Sequence, residues 1–184
     1  IQTIEHSVMI NVMEGADALY GFVITDYKNS GNNQSWVTYP ASNPEDVTNL
    51  AGGPLWQGGA YYNGHVYTVL AERWEEDQVI YQGTSIYRST VKKGDTPAEI
   101  SITDQTFIKR VADVEVGNIA FDYSTGRMYG VDYTNGGLCL IDIETGDIDL
   151  MGTFTGDLGP AIMPAMCVTA NGTIIGSDMY GNIY

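Results

Sequence analysis

Basic residues are scarce in this chain. Lys and Arg together number 8 in 184 residues, against 23 Asp and Glu, for a formal charge of −15 at pH 7. So acidic a surface repels polyanions at long range, which argues against nucleic acid and anionic membranes as partners. Long hydrophobic runs are missing too. No window approaches the ~20 apolar residues that span a bilayer, so no membrane insertion is expected. No charged-then-apolar leader opens the chain. A first residue Ile1 rather than Met reads as a processed or excised piece, from which an export signal would already be gone.

Cysteine is limited to Cys139 and Cys167, too few for a disulfide scaffold. Both sit in apolar, strand-like runs, where a free thiol is expected to be a buried small hydrophobe, with a disulfide or metal pair as the other reading. Histidine is limited to His6 and His65, and His65 reads as a solvent-facing turn residue. Nothing resembles a Gly-x-Ser-x-Gly elbow, a phosphate-cradling Gly-Lys loop or a zinc spacing.

Glycine and tyrosine are plentiful, at 22 and 13. With long Leu/Ala/Glu/Lys-rich stretches absent, the composition points to an all-β protein with many turns. At 184 residues and 43% hydrophobic, the chain is long enough for a sizeable core, and a single domain is expected.

The stretch from Gly117 to Gly146 shows how the β structure is organised. It has an apolar run, a turn on Ser124-Thr125-Gly126, a second run from Met128 to Val131, a Gly136-Gly137 turn and a third run from Leu138 to Ile143. That is a three-stranded meander, which Ile148 to Phe154 would close as a fourth strand. The pattern repeats. Gly126, Tyr129, Gly130 and Asp132 match Gly172, Ile175, Gly176 and Asp178 at a displacement of 46 residues. Looser copies place Tyr67 and Tyr20 at the position of Tyr129, so the anchors Tyr20, Tyr67, Tyr129 and Ile175 are spaced 47, 62 and 46 apart. A period of ~40–50 residues with several strands per unit is the sequence signature of a β-propeller.

The expected units run from about 4 to 50, 52 to 111, 117 to 154 and 164 to 184, the last incomplete. Three and a half to four blades do not readily close a ring of ~4–8. The expectation is therefore a β-propeller-like arc, a fragment of a larger propeller or one completed by self-association or by another segment of a parent chain. In the second unit, 71–78 and 90–103 read as insertions into the repeat, the latter a surface loop.

Two groups of residues invite a functional reading. Trp56, Tyr61, Tyr62, Trp74 and Tyr81, with Glu75 beside them, form an aromatic and acidic set in the second unit. Exposed, such a set stacks on sugar rings and bonds to their hydroxyls; buried, its tyrosines pack between blades while Trp74 pins its loop. Asp132 and Asp178, each two residues after a repeated Gly, are candidates for Ca²⁺, although Asp at strand ends more commonly caps turns.

The phrase from Phe121 to Asp132, FDYSTGRMYGVD, followed by Leu140 to Gly146, LIDIETG, resembles the blade repeat of YVTN/quinoprotein-like β-propellers. It is similar to repeats in secreted or surface proteins of anaerobic Gram-positive bacteria. The resemblance implies a repeat architecture and an extracellular or cell-surface location, and carries over no catalytic residue. Two functions follow as expectations. One is a non-enzymatic binding or interaction module that meets a protein or glycan through blade-connecting loops. The other is a carbohydrate-active enzyme, a glycoside hydrolase or lyase, with a carboxylate site on the propeller axis.

Overall fold

A computed structural model describes residues 18–24, 34–40, 43, 45–46, 48–52, 58–93, 100–154, 165–178 and 180–184, with the backbone alone for 18–24, 34–40, 48–52, 93 and 100. Among these residues there is no helix, and the chain is all-β. It divides into two compact units, Ile1–Leu55 with Ser89–Gln105, and Trp56–Arg88 with Thr106–Tyr184.

In the first unit, β1 (Ala18–Ile24), β2 (Gln34–Pro40) and β3 (Thr48–Gly52) form a three-stranded antiparallel sheet, sheet I. The second unit contains the rest of the architecture. Sheet II is the run β4 (Gly58–Tyr62), β5 (His65–Glu76), β6 (Val79–Lys93) and β7 (Ile100–Ala112), whose outer strand segments 89–93 and 100–105 fall in the first unit. Sheet III is the run β8 (Val116–Asp122), β9 (Arg127–Asp132), β10 (Gly137–Ile141) and β11 (Ile148–Thr153). Sheet IV pairs β12 (Ala165–Val168) with β13 (Ile174–Ser177), and a bridge from Ser177 to Ile183 adds a third short edge. Each sheet lists its strands in chain order, as a meander does, and none of the sheets closes on itself.

Turn chemistry explains where the chain reverses. Asn63 and Gly64 both have positive φ, 47° and 81°, the type I′ hairpin for which Asn-Gly is favoured. Sheet III uses one device three times. Asp122, Asp132 and Asp142 each stand four residues before a glycine of positive φ, Gly126, Gly136 and Gly146. The Asp Oδ1 accepts the N–H of the residue two further on: Ser124 at 2.9 Å, Thr134 at 2.9 Å and Glu144 at 2.8 Å. The side chain thus mimics a backbone turn. Asp178 repeats it in sheet IV by accepting from Tyr180 N–H at 2.8 Å.

The core lies between sheets II and III. Ala60, Tyr67, Val69 and Ile86 from one sheet meet Val116, Ile119, Phe121, Met128, Cys139 and Ile141 from the other. Phe121 stacks on Tyr62 at 4.7 Å and 11°, and lies 5.4 Å from Tyr67. The Tyr123 hydroxyl donates to the carbonyl of Tyr61 at 2.7 Å. Gly126 is needed here for its lack of a side chain as well as for its φ of +72°, because a Cβ would stand 2.6 Å from the Tyr62 hydroxyl. From sheet IV, β12 packs against β8 of sheet III.

Two expectations change. The charged stretch Glu72 to Asp77 is not an inserted loop: β5 runs to Glu76, and Asp77 and Gln78, with φ of 52° and 65°, turn it directly into β6. Likewise most of 90–103 is strand, since β6 extends to Lys93 and β7 begins at Ile100. The lengthening makes a long three-stranded ladder of β5, β6 and β7 where the sequence suggested two excursions. His6 lies outside the described residues.

The thiols also separate. Cys139 is buried, and burial together with the Asp132 charge pushes its pKa up to about 12, so it is inert at neutral pH. Cys167 is exposed, contrary to the expectation of two buried thiols, because it lies on the outer face of a two-stranded sheet.

Candidate functional site

The lengthened hairpin of sheet II builds the best-defined surface cluster. Trp74 on β5 and Tyr81 on β6 stand at equal distances from the Asp77-Gln78 turn, so they are cross-strand neighbours. Their rings stack at 5.6 Å with an interplanar angle of 19°. From β7, the Arg110 guanidinium lies 4.8 Å from the centre of the Trp74 ring, within cation–π range.

Arg110 is itself held in place. Its Nη2 and Nε donate to Glu72 Oε1 at 2.7 and 2.8 Å, and Nε also donates to Ser85 Oγ at 3.1 Å. The Ser85 hydroxyl in turn donates to Glu72. A planar cation fixed by a carboxylate cannot swing away from the indole, so the ring is preorganised. Phe107, half exposed, continues the strip 6.0 Å from Arg110 and meets Tyr87 edge-on at 5.6 Å. Trp74 and Tyr81 are half-buried. The arrangement is a flat, partly exposed aromatic and guanidinium platform on three adjacent strands.

Of the residues singled out in sequence, Trp74 and Tyr81 come together here. Glu75 is exposed next to Trp74 and projects to the opposite face by strand alternation. Tyr61 and Tyr62 go elsewhere: Tyr62 packs on Phe121 at the junction of sheets II and III, and the Tyr61 hydroxyl accepts the Gly64 N–H of its own hairpin at 3.1 Å. Trp56 lies outside the described residues. His65 is half-buried against Tyr67 at 6.3 Å, with its Nδ1 buried and unpartnered, rather than facing solvent from a turn. Arg110, Glu72, Ser85 and Phe107 complete the platform, but their partnership is a cross-strand property with no local signal.

The aspartates proposed for Ca²⁺ hold turns. Asp132 is buried, with Oδ2 accepting from Asn135 at 2.5 Å and Oδ1 from the N–H of Thr134 and, at 3.3 Å, Glu115. Asp178 accepts from Asn182 and Tyr184 as well as Tyr180. The two lie in different sheets, and no group of three or more metal-binding side chains occurs among the described residues. A separate recess of about 220 Å³ is lined by Arg127, Leu140, Asp142, Ile143 and Asp149, and its Asp142 is likewise held in a turn.

These turn bonds favour the charged carboxylates. Hydroxyl donors from Ser124 and Thr125 lower the pKa of Asp122, and backbone N–H groups of Thr145 and Glu144 lower that of Asp142. At Asp178 burial pulls upward, but donors from Asn182, Tyr184 and Tyr180 together outweigh it. A folded pKa below the unfolded value of ~3.9 gives stability that is present above that value and lost as pH falls through the folded one. Acidification also relieves the repulsion of a −15 chain, so the test is a difference. The gap in urea midpoint between the natural chain and Asp122→Asn is expected to narrow as pH is lowered from neutrality to ~2.5, below the unfolded carboxylate pKa. A gap independent of pH would contradict the role given to Asp122.

Comparison with known proteins adds a fold likeness. No protein-family model matches the sequence, and no curated protein matches it. A crystal structure of a structural-genomics protein of unknown function from Bacteroides thetaiotaomicron VPI-5482 aligns with all of this chain at a TM-score of 0.56 and 14% identity. The chain spans 44% of that protein's chain. At that identity the likeness shows the fold alone.

Proposed function

We propose that this chain is an arc of blade-like units of the YVTN/quinoprotein-like kind, acting as an extracellular or cell-surface binding module that recognises a glycan on the Trp74 platform. The observation that carries the reading is the clamped indole: Trp74 is held by Tyr81 and by an Arg110 that is itself fixed by Glu72. An aromatic face held rigid loses little entropy when a sugar ring stacks on it. The succession of meander sheets, each about one repeat long, supports the blade reading. The acidic surface favours a neutral saccharide over a polyanionic one.

Carboxylate chemistry supports binding over hydrolysis. A general acid needs a raised pKa, whereas among the described residues the carboxylates with a displaced pKa, Asp104, Asp122, Asp142, Asp147 and Asp178, are all lowered. Glu72 is tied to Arg110.

A glycan array followed by fluorescence titration tests the proposal. Trp74→Ala is expected to weaken binding of any array hit at least ~10-fold, about the 1.4 kcal/mol of one good stacking contact, while the chain stays folded. An unaltered affinity, or an array without hits together with hydrolysis of a polysaccharide, overturns the reading.

A further inference from the structure

We infer that the Trp74 platform takes an unbranched, ribbon-like oligosaccharide of three or more pyranose units, with Phe107 as a second stacking subsite. This rests on the glycan reading of the platform and adds to it the length and shape of the ligand.

The spacing of two rings carries the inference. Phe107 on β7 is 51% exposed and lies outside the core cluster, so its ring is presented rather than packed away. Tyr87 meets it edge-on at 5.6 Å. Since β6 lies between β5 and β7, Trp74 and Phe107 stand two strands apart, about 9–10 Å across the sheet. The Arg110 guanidinium, 4.8 Å from one ring centre and 6.0 Å from the other, limits their separation to about 11 Å. One pyranose of an extended chain covers roughly half that distance. Adjacent units therefore cannot reach both rings, whereas alternate units can. In a chain of equatorial linkages alternate units also turn the same face toward the sheet, as stacking on both rings requires.

Between the rings lies a hydrogen-bond donor. Arg110 engages Glu72 and Ser85 through Nε and Nη2, and its Nη1 N–H groups meet no acceptor among the described residues. The middle unit of the ligand has no ring beneath it, and these N–H groups donate to its hydroxyl and ring oxygens. The succession of indole, guanidinium and phenyl thus corresponds to three consecutive sugars.

Size ladders of cello-, manno- and xylo-oligosaccharides, from monosaccharide to hexasaccharide, test this by calorimetric titration, with coiled malto-oligosaccharides for comparison. At least one ribbon-like ladder is expected to gain ~5-fold or more in affinity between disaccharide and trisaccharide, and the malto ladder to show no such step. Phe107→Ala should abolish the step and leave disaccharide affinity unchanged, Phe107→Tyr should keep it, and Trp74→Ala should weaken every length. If Phe107→Ala fails to fold, the ladders on the natural chain decide alone. Binding that is lost in Trp74→Ala but shows no trisaccharide step overturns this inference and leaves the glycan reading standing. A step that survives Phe107→Ala, or an equal loss for disaccharide and trisaccharide in that variant, overturns it as well. Failure of every sugar to bind, or tighter binding of a proline-rich peptide than of any sugar, overturns the glycan reading itself and this inference with it.

Discussion

A Gly83→Ala chain is expected to lose about 3 kcal/mol or more of stability, at the upper end of what one added methyl costs. Gly83 lies within β6, between β5 and β7 of sheet II. A Cβ there would stand 2.0 Å from the carbonyl oxygen of Val111 and 2.9 Å from Ala112 Cα. Both are backbone atoms and have no rotamer to adopt, so β6 and β7 would have to part. Parting them strains the Asp113 N–H bond to the Gln82 carbonyl, 2.8 Å long, and draws Arg110 away from Trp74. Stability and glycan binding should therefore fall together. Gly152→Ala is the control, since a Cβ at Gly152 meets nothing within 4 Å and should change stability by less than ~0.5 kcal/mol. Urea unfolding of the three chains gives the comparison. A Gly83→Ala protein as stable as Gly152→Ala would mean that β6 and β7 do not pair as described.

Phe121→Ala is expected to cost ~3–5 kcal/mol, by lost transfer energy plus the cavity left between sheets II and III. Phe121 is 3% exposed and is stacked on Tyr62 with Tyr67 alongside. None of these rings can follow the missing one, because Tyr62 abuts Gly126 and Tyr67 belongs to the same packed cluster. Phe121→Leu keeps most of the volume and should lose ~1.5 kcal/mol or less. Thermal and urea denaturation check the pair. Equal stability for Phe121→Ala and the natural chain would remove Phe121 from the junction. Trp74→Ala is expected to lose binding at a smaller cost in stability, ~0.5–1.5 kcal/mol for its stacking and cation–π contacts, because Trp74 lies outside the core cluster.

These expectations differ in how far the sequence announces them. The Asn63-Gly64 turn was legible, since two adjacent residues specify its type. So were the Asp and Gly positions of the sheet III turns, as punctuation of a repeat. Their shared Asp-to-Gly spacing of four is in the sequence as well, and becomes meaningful once each Asp is seen accepting a backbone N–H. The long hairpin of sheet II was not legible. Glu72 to Asp77 is charged on both faces and shows no apolar alternation, so nothing local marks it as strand. It is held by cross-strand pairs: Arg73 on Gln82 at 2.9 Å, Trp74 on Tyr81, and Glu72 on Arg110 two strands away.

By itself, then, the amino-acid sequence determined the all-β class, most turn positions and the recurrence of the Tyr/Gly/Asp unit. Those properties rest on backbone preferences and on neighbours a few residues apart. Tertiary structure alone decided which aromatics pack and which are presented, and which thiol is buried. Tyr62 and Trp74 are equally aromatic, and Cys139 and Cys167 equally set in apolar strands. Their fates diverge because burial belongs to a sheet face, and a face is buried only where another sheet lies on it.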